Sequence, residues 1–461
     1  MSLLLLVPGF ISLFLVLRGR IETAFLSVYL PCLLLLPDAY SIRIPHLPPV
    51  SAAQCALIPL GFVGVSRLIR GGSFALMDIL AFLFPMSVGL SEILHAPILN
   101  DGIFAAFGAF VSMFLAYTAG RQLIEPDLRV ATVRRFVILV LLDGPLGLYE
   151  WRMGTNLYGI FGLKVLGIPN LAVSVQIRNG HGRMGWVFSG GEPAGIAFGM
   201  TFCMNAWLVY LRRVKANVDL GKTLTRLEKY HLPEMLLLLY VWLTQSRGPL
   251  LALGAGYLIL QIPRFKNTRL MTIVVAGLLL GGYLAASAYF SSYTNGADQS
   301  YAVISKLPEE QTSAMYRRVM NKVYAPIAEA GGWTGWGVLQ IPVLYGMKSI
   351  DNHYLLVHLS WGRLGYILFV LITWENIRVL LVRSWKFKAA QDRAFAFSML
   401  AAMAVLWITL LTVYLGGQLP QISFLLMGWI QSMVPGKTGA SHGAQITETP
   451  NSKFSFRRVF S

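Results

Sequence analysis

Long apolar runs separated by short polar punctuation recur along the whole chain. They lie near 2–17, 21–37, 50–66, 74–90, 102–119, 133–149 and 186–210, and then near 233–246, 249–263, 270–290, 364–382, 396–415 and 420–434. Most approach the roughly 20 mostly apolar residues that a membrane-crossing helix needs. The pattern predicts an all-α, polytopic integral membrane protein with about 12–13 transmembrane helices. Two long segments interrupt the rhythm, 150–185 and 291–352, and the chain after Pro435 turns polar and is expected to be disordered. The predicted organisation is N-terminal transmembrane helices over 1–149, a loop over 150–185 and central transmembrane helices over 186–290. A large loop over 291–352, C-terminal transmembrane helices over 353–434 and a tail over 435–461 complete it. No internal repeat of fixed period is present.

Composition agrees. Hydrophobic residues make up 56% of the 461 and charged residues 13%, against roughly a quarter charged in soluble chains, and mean hydropathy is +0.61. A water-soluble fold is excluded. The formal charge of +17 comes with no basic patch on a soluble domain and no nucleic-acid motif, so no nucleic-acid partner is expected. Loop placement beside a bilayer accounts for it. Alternate loops hold Arg18, Arg20; Arg67, Arg70; Arg121, Arg129, Arg134, Arg135; Arg212, Arg213, Lys215, Lys222, Arg226, Lys229; Arg264, Lys266, Arg269; Arg378, Arg383, Lys386, Lys388, Arg393; and Lys437, Lys453, Arg457, Arg458. These are 26 of the 38 basic residues, and basic loops stay in the cytoplasm. The N-terminus is then expected outside, the C-terminus inside, and 150–185 and 291–352 on the outer face. Met1 to Leu17 lacks the basic start and cleavage site of a signal peptide and is expected to be a retained span. Cys32, Cys55 and Cys203 are scattered through apolar runs, without disulfide or zinc spacing.

Charged residues that the outer side keeps against this bias are the candidates for chemistry. Arg247 stands in the polar break Thr244-Gln245-Ser246-Arg247-Gly248-Pro249. An arginine at membrane depth costs about 2.5–3.5 kcal/mol on insertion scales, although one that snorkels to the interface and caps a helix C-terminus has the same spacing. Met315-Tyr316-Arg317-Arg318-Val319 begins an amphipathic helix in the large loop, where adjacent arginines equally suit a solvated face. That helix ends before Gly331-Gly332-Trp333-Thr334-Gly335-Trp336-Gly337. Asp351-Asn352-His353 then leads into an apolar stretch containing Gly362-Arg363-Leu364-Gly365; its plainest role is a helix N-cap. The earlier outer segment supplies Arg152, Arg178, His181 and Arg183 ahead of Gly190-Gly191-Glu192-Pro193. Guanidinium groups beside a glycine-rich helix start suit an anion. Trp333, Trp336 and Tyr345 could stack on sugar rings, but aromatic residues also belong at membrane interfaces.

Taken in order, these features resemble the O-antigen ligase and O-antigen polymerase superfamily of bacterial inner-membrane enzymes. In that family a Ser-Arg-Gly follows a span, a long periplasmic loop carries another essential arginine, and the loop closes with His-Asn, nine residues and Gly-x-x-Gly. Ser246-Arg247-Gly248 matches the first element, Arg317 or Arg318 the second, and Asp351-Asn352 with Gly362-Arg363-Leu364-Gly365 the third. The histidine of the ligases is Asp351 here, and His353 lies two residues on. Members with Asp-Asn look more like polymerases of O-antigen or exopolysaccharide repeat units.

The resemblance implies a membrane glycosyltransferase acting at the periplasmic face, metal-independent and inverting, with no cofactor. Its expected partners are an undecaprenyl-diphosphate-linked glycan, an acceptor glycan, the lipid bilayer and a chain-length regulator. Arginines replace a metal ion physically, because a guanidinium stays charged and grips phosphate oxygens bidentately. Arg247 and Arg317 (or Arg318) would hold the diphosphate, Asp351 or His353 would be the base, and Asn352, Arg152, Arg178 and Arg183 would contact donor or acceptor. Two rival readings remain: an O-antigen ligase acting on lipid A-core, and a transporter or flippase of a lipid-linked or anionic substrate.

Overall fold

A bilayer core offers peptide groups no water to bond, so an apolar run must satisfy its own backbone, and a helix does this within one segment. A computed structural model of the chain describes residues 2–168, 175–178, 180–214, 231–294, 309–344, 347 and 349–433. Tyr345, the four lysines and arginines of 215–230 and the polar tail lie outside the described residues.

The apolar runs fall on helices. In chain order these are α1 (Val7–Leu17) and α2 (Ile21–Leu35), then α3 (Ala52–Gly71), α4 (Leu76–His95), α5 (Leu99–Leu123) and α6 (Arg129–Met153). A short α7 (Leu157–Lys164) is followed by α8 (Gly191–Arg213), α9 (Leu232–Leu243), α10 (Arg247–Gln261) and α11 (Thr268–Tyr293). Last come α12 (Glu309–Ala330), α13 (His353–Lys386), α14 (Ala390–Thr409) and α15 (Leu419–Ser432). The only strands among the described residues form two antiparallel two-residue pairs, β1 (Ser41–Ile42) with β2 (Val50–Ser51) and β3 (Ile177–Arg178) with β4 (His181–Gly182).

Among the described residues seven helices, α3, α4, α5, α8, α11, α13 and α14, are long and apolar enough to cross a membrane. The architecture is therefore all-α and compatible with a polytopic membrane protein. α11 makes the point most directly. Leu270, Ile273, Leu278, Leu280, Leu284 and Tyr289 are all exposed around it, a surface that suits lipid and not water.

Small residues let the buried helices approach closely. A Cβ on Gly120 of α5 would lie 2.0 Å from the Leu425 carbonyl oxygen of α15, and one on Gly428 of α15 would lie 2.0 Å from the Tyr117 oxygen of α5. α8, α14 and α15 are the most deeply buried elements.

Polar contacts gather at the two ends of the bundle. At one end Arg121 pairs with the buried Asp78 at 3.2 Å, Arg129 with Asp392 at 3.4 Å, and Arg383 donates to the Ile430 carbonyl at 2.5 Å. At the other end Gln418 donates to the carbonyls of Leu36 and Val187, both at 2.9 Å. Arg121, Arg129 and Arg383 of the basic loops are thus engaged at one end.

Three boundaries differ from the sequence expectation. The segment 291–352 contains a full helix, α12, which starts at Glu309 and not at Met315. α14 stops at Thr409, short of 415. α13 begins at His353, 11 residues ahead of the expected start at 364, because it is two helices joined at Gly362.

At Gly362 the backbone takes φ 67° and ψ −165°, and the glycine loop after α12 fills the gap. Trp336 N–H donates to the Leu359 carbonyl at 2.9 Å and Gly337 N–H to Ser360 at 2.9 Å. In return Arg363 N–H donates to the Gly332 carbonyl at 3.0 Å and Leu364 N–H to Trp333 at 3.2 Å. Only glycine fits the contact. A Cβ on Gly335, whose φ is +75°, would lie 2.4 Å from the Gly362 nitrogen.

Two alanine substitutions separate backbone conformation from contact. Gly332 also has a positive φ, but its Cβ position is open, so Gly332→Ala should cost about 1 kcal/mol. Gly335→Ala adds a backbone clash and should cost about 3 kcal/mol or more. Thermal unfolding in detergent should therefore place the Gly335 variant clearly below the Gly332 variant, and equal melting points would refute the docked-loop account.

Candidate functional site

α9 and α10 have 12 and 15 residues, or about 18 and 22 Å at 1.5 Å per residue. Neither alone covers a hydrocarbon core of about 30 Å. The break between them, where Gln245 takes a φ of 51°, leaves helix-end carbonyls that need donors. The hairpin of β3 and β4 supplies them. Met184 N–H donates to the Leu243 carbonyl at 3.2 Å, Arg183 Nε to Thr244 at 3.2 Å and Arg178 Nη1 to Gln245 at 3.0 Å.

Arg183 is the hub of this arrangement. It is buried and donates also to Gln176 Oε1 at 2.5 Å, to Glu192 Oε1 at 2.8 Å and to Ser246 Oγ at 2.6 Å. Arg183, which the sequence offers to an anion, is thus paired with the chain's own Glu192 in the first turn of α8. Arg183 and Arg178 brace the break. Arg152, at the end of α6, is exposed. Arg247 is the first residue of α10 and is exposed.

The second half of the site is built on α12 and the head of α13. Arg318 donates to the Ser291 carbonyl at 2.9 Å and to Thr294 Oγ1 at 2.8 Å, tying α12 to the end of α11. Arg317 differs: its Nε is buried and has no hydrogen-bond partner among the described residues. One turn on, Met320 Sδ accepts from the Asp351 N–H at 3.3 Å. Asp351 is half-buried, and its carboxylate accepts from the Ser349 hydroxyl. Asn352 caps α13 by accepting from Leu355 N–H at 3.2 Å, and its amide lies 3.5 Å from Asn321 Oδ1.

His353 is buried, its ring edge-on to Phe369 at 5.0 Å between centroids. Its N–H donates to the Leu410 carbonyl at 2.9 Å, and its Nδ1 accepts from Leu415 N–H at 3.3 Å. A neutral imidazole that accepts at Nδ1 carries its proton on Nε2 and has no second lone pair to offer.

The turn from Leu410 to Gln418, between α14 and α15, joins the two halves. A Cβ on Gly248 would meet Thr412 Oγ1 at 2.9 Å, which sets this turn against the start of α10. Tyr414 is half-exposed on the same turn. Burial raises the pKa of its hydroxyl, and the carboxylates of Glu192 and Asp351 raise it further; both carboxylates thus lie within electrostatic reach of one phenol. The sequence reading missed Tyr414 and Glu192. Gly416-Gly417, with φ +58° at Gly417, was the signal that the apolar run 396–415 turns before its end. Of the aromatic candidates, Trp336 is held within the loop by an Nε1 bond to the Ile327 carbonyl at 2.9 Å, and Trp333 is exposed.

Fold and site together define a class: an all-α bundle compatible with a membrane, with arginines and one half-buried aspartate gathered at one end. Among the described residues no group of three or more His, Cys, Asp or Glu stands where it could hold a metal ion. The chain matches no protein-family model and no curated protein.

Arg183→Met would strip donors from Glu192, Ser246 and the Thr244 carbonyl together. A loss of about 2–3 kcal/mol is expected for charged hydrogen bonds of this kind. Arg152→Met, at an exposed position, should stay within about 0.5 kcal/mol of the parent. Comparing the two by thermal unfolding tests whether Arg183 is structural, and unchanged stability in Arg183→Met would reject that role.

Proposed function

We propose that this chain is a glycosyltransferase of the O-antigen polymerase and ligase kind, embedded in a bacterial inner membrane with its site on the periplasmic face. It would polymerise O-antigen or exopolysaccharide repeat units by moving a glycan from an undecaprenyl-diphosphate donor to a sugar hydroxyl. The observation that carries this reading is the packing of α12, one turn beyond Arg317, against Asp351, with Arg247 opening α10 beside the turn that holds Tyr414. The transporter reading is weaker, because the sequence shows no repeat halves.

Arg317 is the loop arginine assigned to the diphosphate, because Arg318 is already engaged with α11 and Arg317 keeps a buried donor open. Arg247 is the second cation. Asp351 is assigned the base because its carboxylate has lone pairs to offer, whereas His353 is buried with Nδ1 engaged by a backbone N–H. The acceptor oxygen attacks the anomeric carbon, its proton passes to Asp351, and the carbon–oxygen bond to the diphosphate breaks with its electron pair leaving on the phosphate oxygen. One displacement inverts the anomeric centre. Charge developing on the leaving group is met by guanidinium donors, which are stronger in a partly desolvated setting than in water.

The test is transfer by purified protein in nanodiscs supplied with undecaprenyl-diphosphate-linked repeat units. A ladder of lengthening lipid-linked glycans is expected; product only on adding lipid A-core would replace polymerase by ligase, and no product with either acceptor would overturn the reading. In the same assay Asp351→Asn should lower turnover on the order of 10²–10⁴-fold, the usual contribution of a general base. Arg247→Lys and Arg317→Lys keep the charge but lose the bidentate fork, and each should lower turnover about 10-fold or more. Full activity in all three variants would exclude the proposed roles.

A further inference from the structure

The two residues on which the proposed chemistry most depends sit on separate elements, and the connection between them is the break in α13. α12, which carries Arg317, runs directly into the glycine loop that occupies this break. The half-helix from His353 to Trp361, which Asp351 precedes, is the element the loop bonds. The two also pack side by side through Met320, Tyr324, Ala328 and Leu359. Their relative register is therefore set where the loop is held in the gap.

The holding group comes from a distant part of the chain. Glu92, in the last turn of α4, is 6% exposed. Its Oε1 accepts from Trp361 Nε1 at 3.0 Å and from Val338 N–H at 3.0 Å. The first donor belongs to α13 and the second to the chain just beyond the glycine loop, so one oxygen joins both sides of the break. Its neighbour Ser91 donates from Oγ to the Ser360 carbonyl at 2.7 Å, and a Cβ on Gly337 would meet His95 Cβ at 3.0 Å. The end of α4 thus closes over the docked loop. Burying a carboxyl group this far is unfavourable without hydrogen-bond donors, and Oε1 has two. Glu92→Leu would leave both N–H groups without an acceptor.

We infer that Glu92 is a positioning residue: by bonding Trp361 and Val338 with one oxygen, it fixes the register of α12 against the head of α13 and so sets Arg317 relative to Asp351. The half-helix between Trp361 and Asp351 is about 13 Å long at 1.5 Å per residue, so Glu92 acts through the frame and not on reacting atoms. The functional consequence rests on the reading of Arg317 and Asp351 given above; the register itself does not.

Two readouts test the inference separately. The Asn321 and Asn352 side chains meet at 3.5 Å across the two elements, and the three native cysteines are buried. In an Asn321→Cys, Asn352→Cys background, the rate of cross-linking by a short bis-alkylating reagent reports the register without any reference to catalysis. Glu92→Leu should slow cross-linking about 10-fold, and Glu92→Gln, whose amide oxygen can accept both bonds, should restore it. In the transfer assay, with asparagines intact, Glu92→Leu should lower kcat on the order of 10²-fold, as expected for ångström-scale misplacement, with KM for the donor little changed and Glu92→Gln again restoring. If Glu92→Leu does not fold, Trp361→Phe removes one of the two donors and should slow cross-linking in the same direction. Unchanged cross-linking in the tested variant overturns the inference. Slowed cross-linking with no transfer by the parent protein overturns the glycosyltransferase reading and leaves the positioning role standing.

Discussion

In a bilayer every interruption of a helix exposes peptide groups that nothing in the lipid can satisfy, and each break must bring its own partners. Two breaks define this protein, one between α9 and α10 and one inside α13. At the first, Arg183, Arg178 and the Met184 N–H cover the carbonyls of Thr244, Gln245 and Leu243. At the second, the backbone from Gly332 to Gly337 exchanges four hydrogen bonds with residues 359–364. Both plugs come from the long segments between spans, and so these segments fold against the bundle. The first break carries Arg247, and the loop that fills the second continues from the helix that carries Arg317.

The two ends of the bundle handle arginine differently. At the basic end Arg121 and Arg129 meet Asp78 and Asp392, and Arg121 and Arg383 both reach carbonyls at the end of α15, where cations are favoured. At the other end Arg183 is bonded on every side, Arg318 ties two helices, and Arg317 retains a buried donor with no partner among the described residues. Adjacent arginines in one sequence motif thus sit in different surroundings. The turn from Leu410 to Gln418 brings Tyr414 within reach of carboxylates from α8 and from the head of α13, so a short connection between two of the most buried helices links the halves of the site.

Much of this was legible from the chain alone. The apolar runs marked the helices because lipid and helix geometry impose the same length on any sequence. The breaks were visible as Thr244–Pro249 and as clustered glycines, since glycine and polar residues are what a broken helix requires. The candidates Arg247, Arg317, Asp351 and Asn352 stood out because charge is scarce on the outer side. Arg183 was visible too, but its role was not. A guanidinium that binds a ligand and one that braces a turn look alike until Glu192, Ser246 and the Thr244 carbonyl are brought within 3.2 Å of it.

By itself the sequence determined the class of fold, the helix positions and the set of residues with unusual charge, because these depend on local hydrophobicity and spacing. Only the tertiary structure decided how each of those residues is engaged. It tied Arg318 to the end of α11, bonded His353 to Leu415, and brought in Glu92 from 246 residues before Val338. Such choices depend on contacts between residues far apart in the chain, and no periodicity or local propensity encodes which distant group will occupy a given donor.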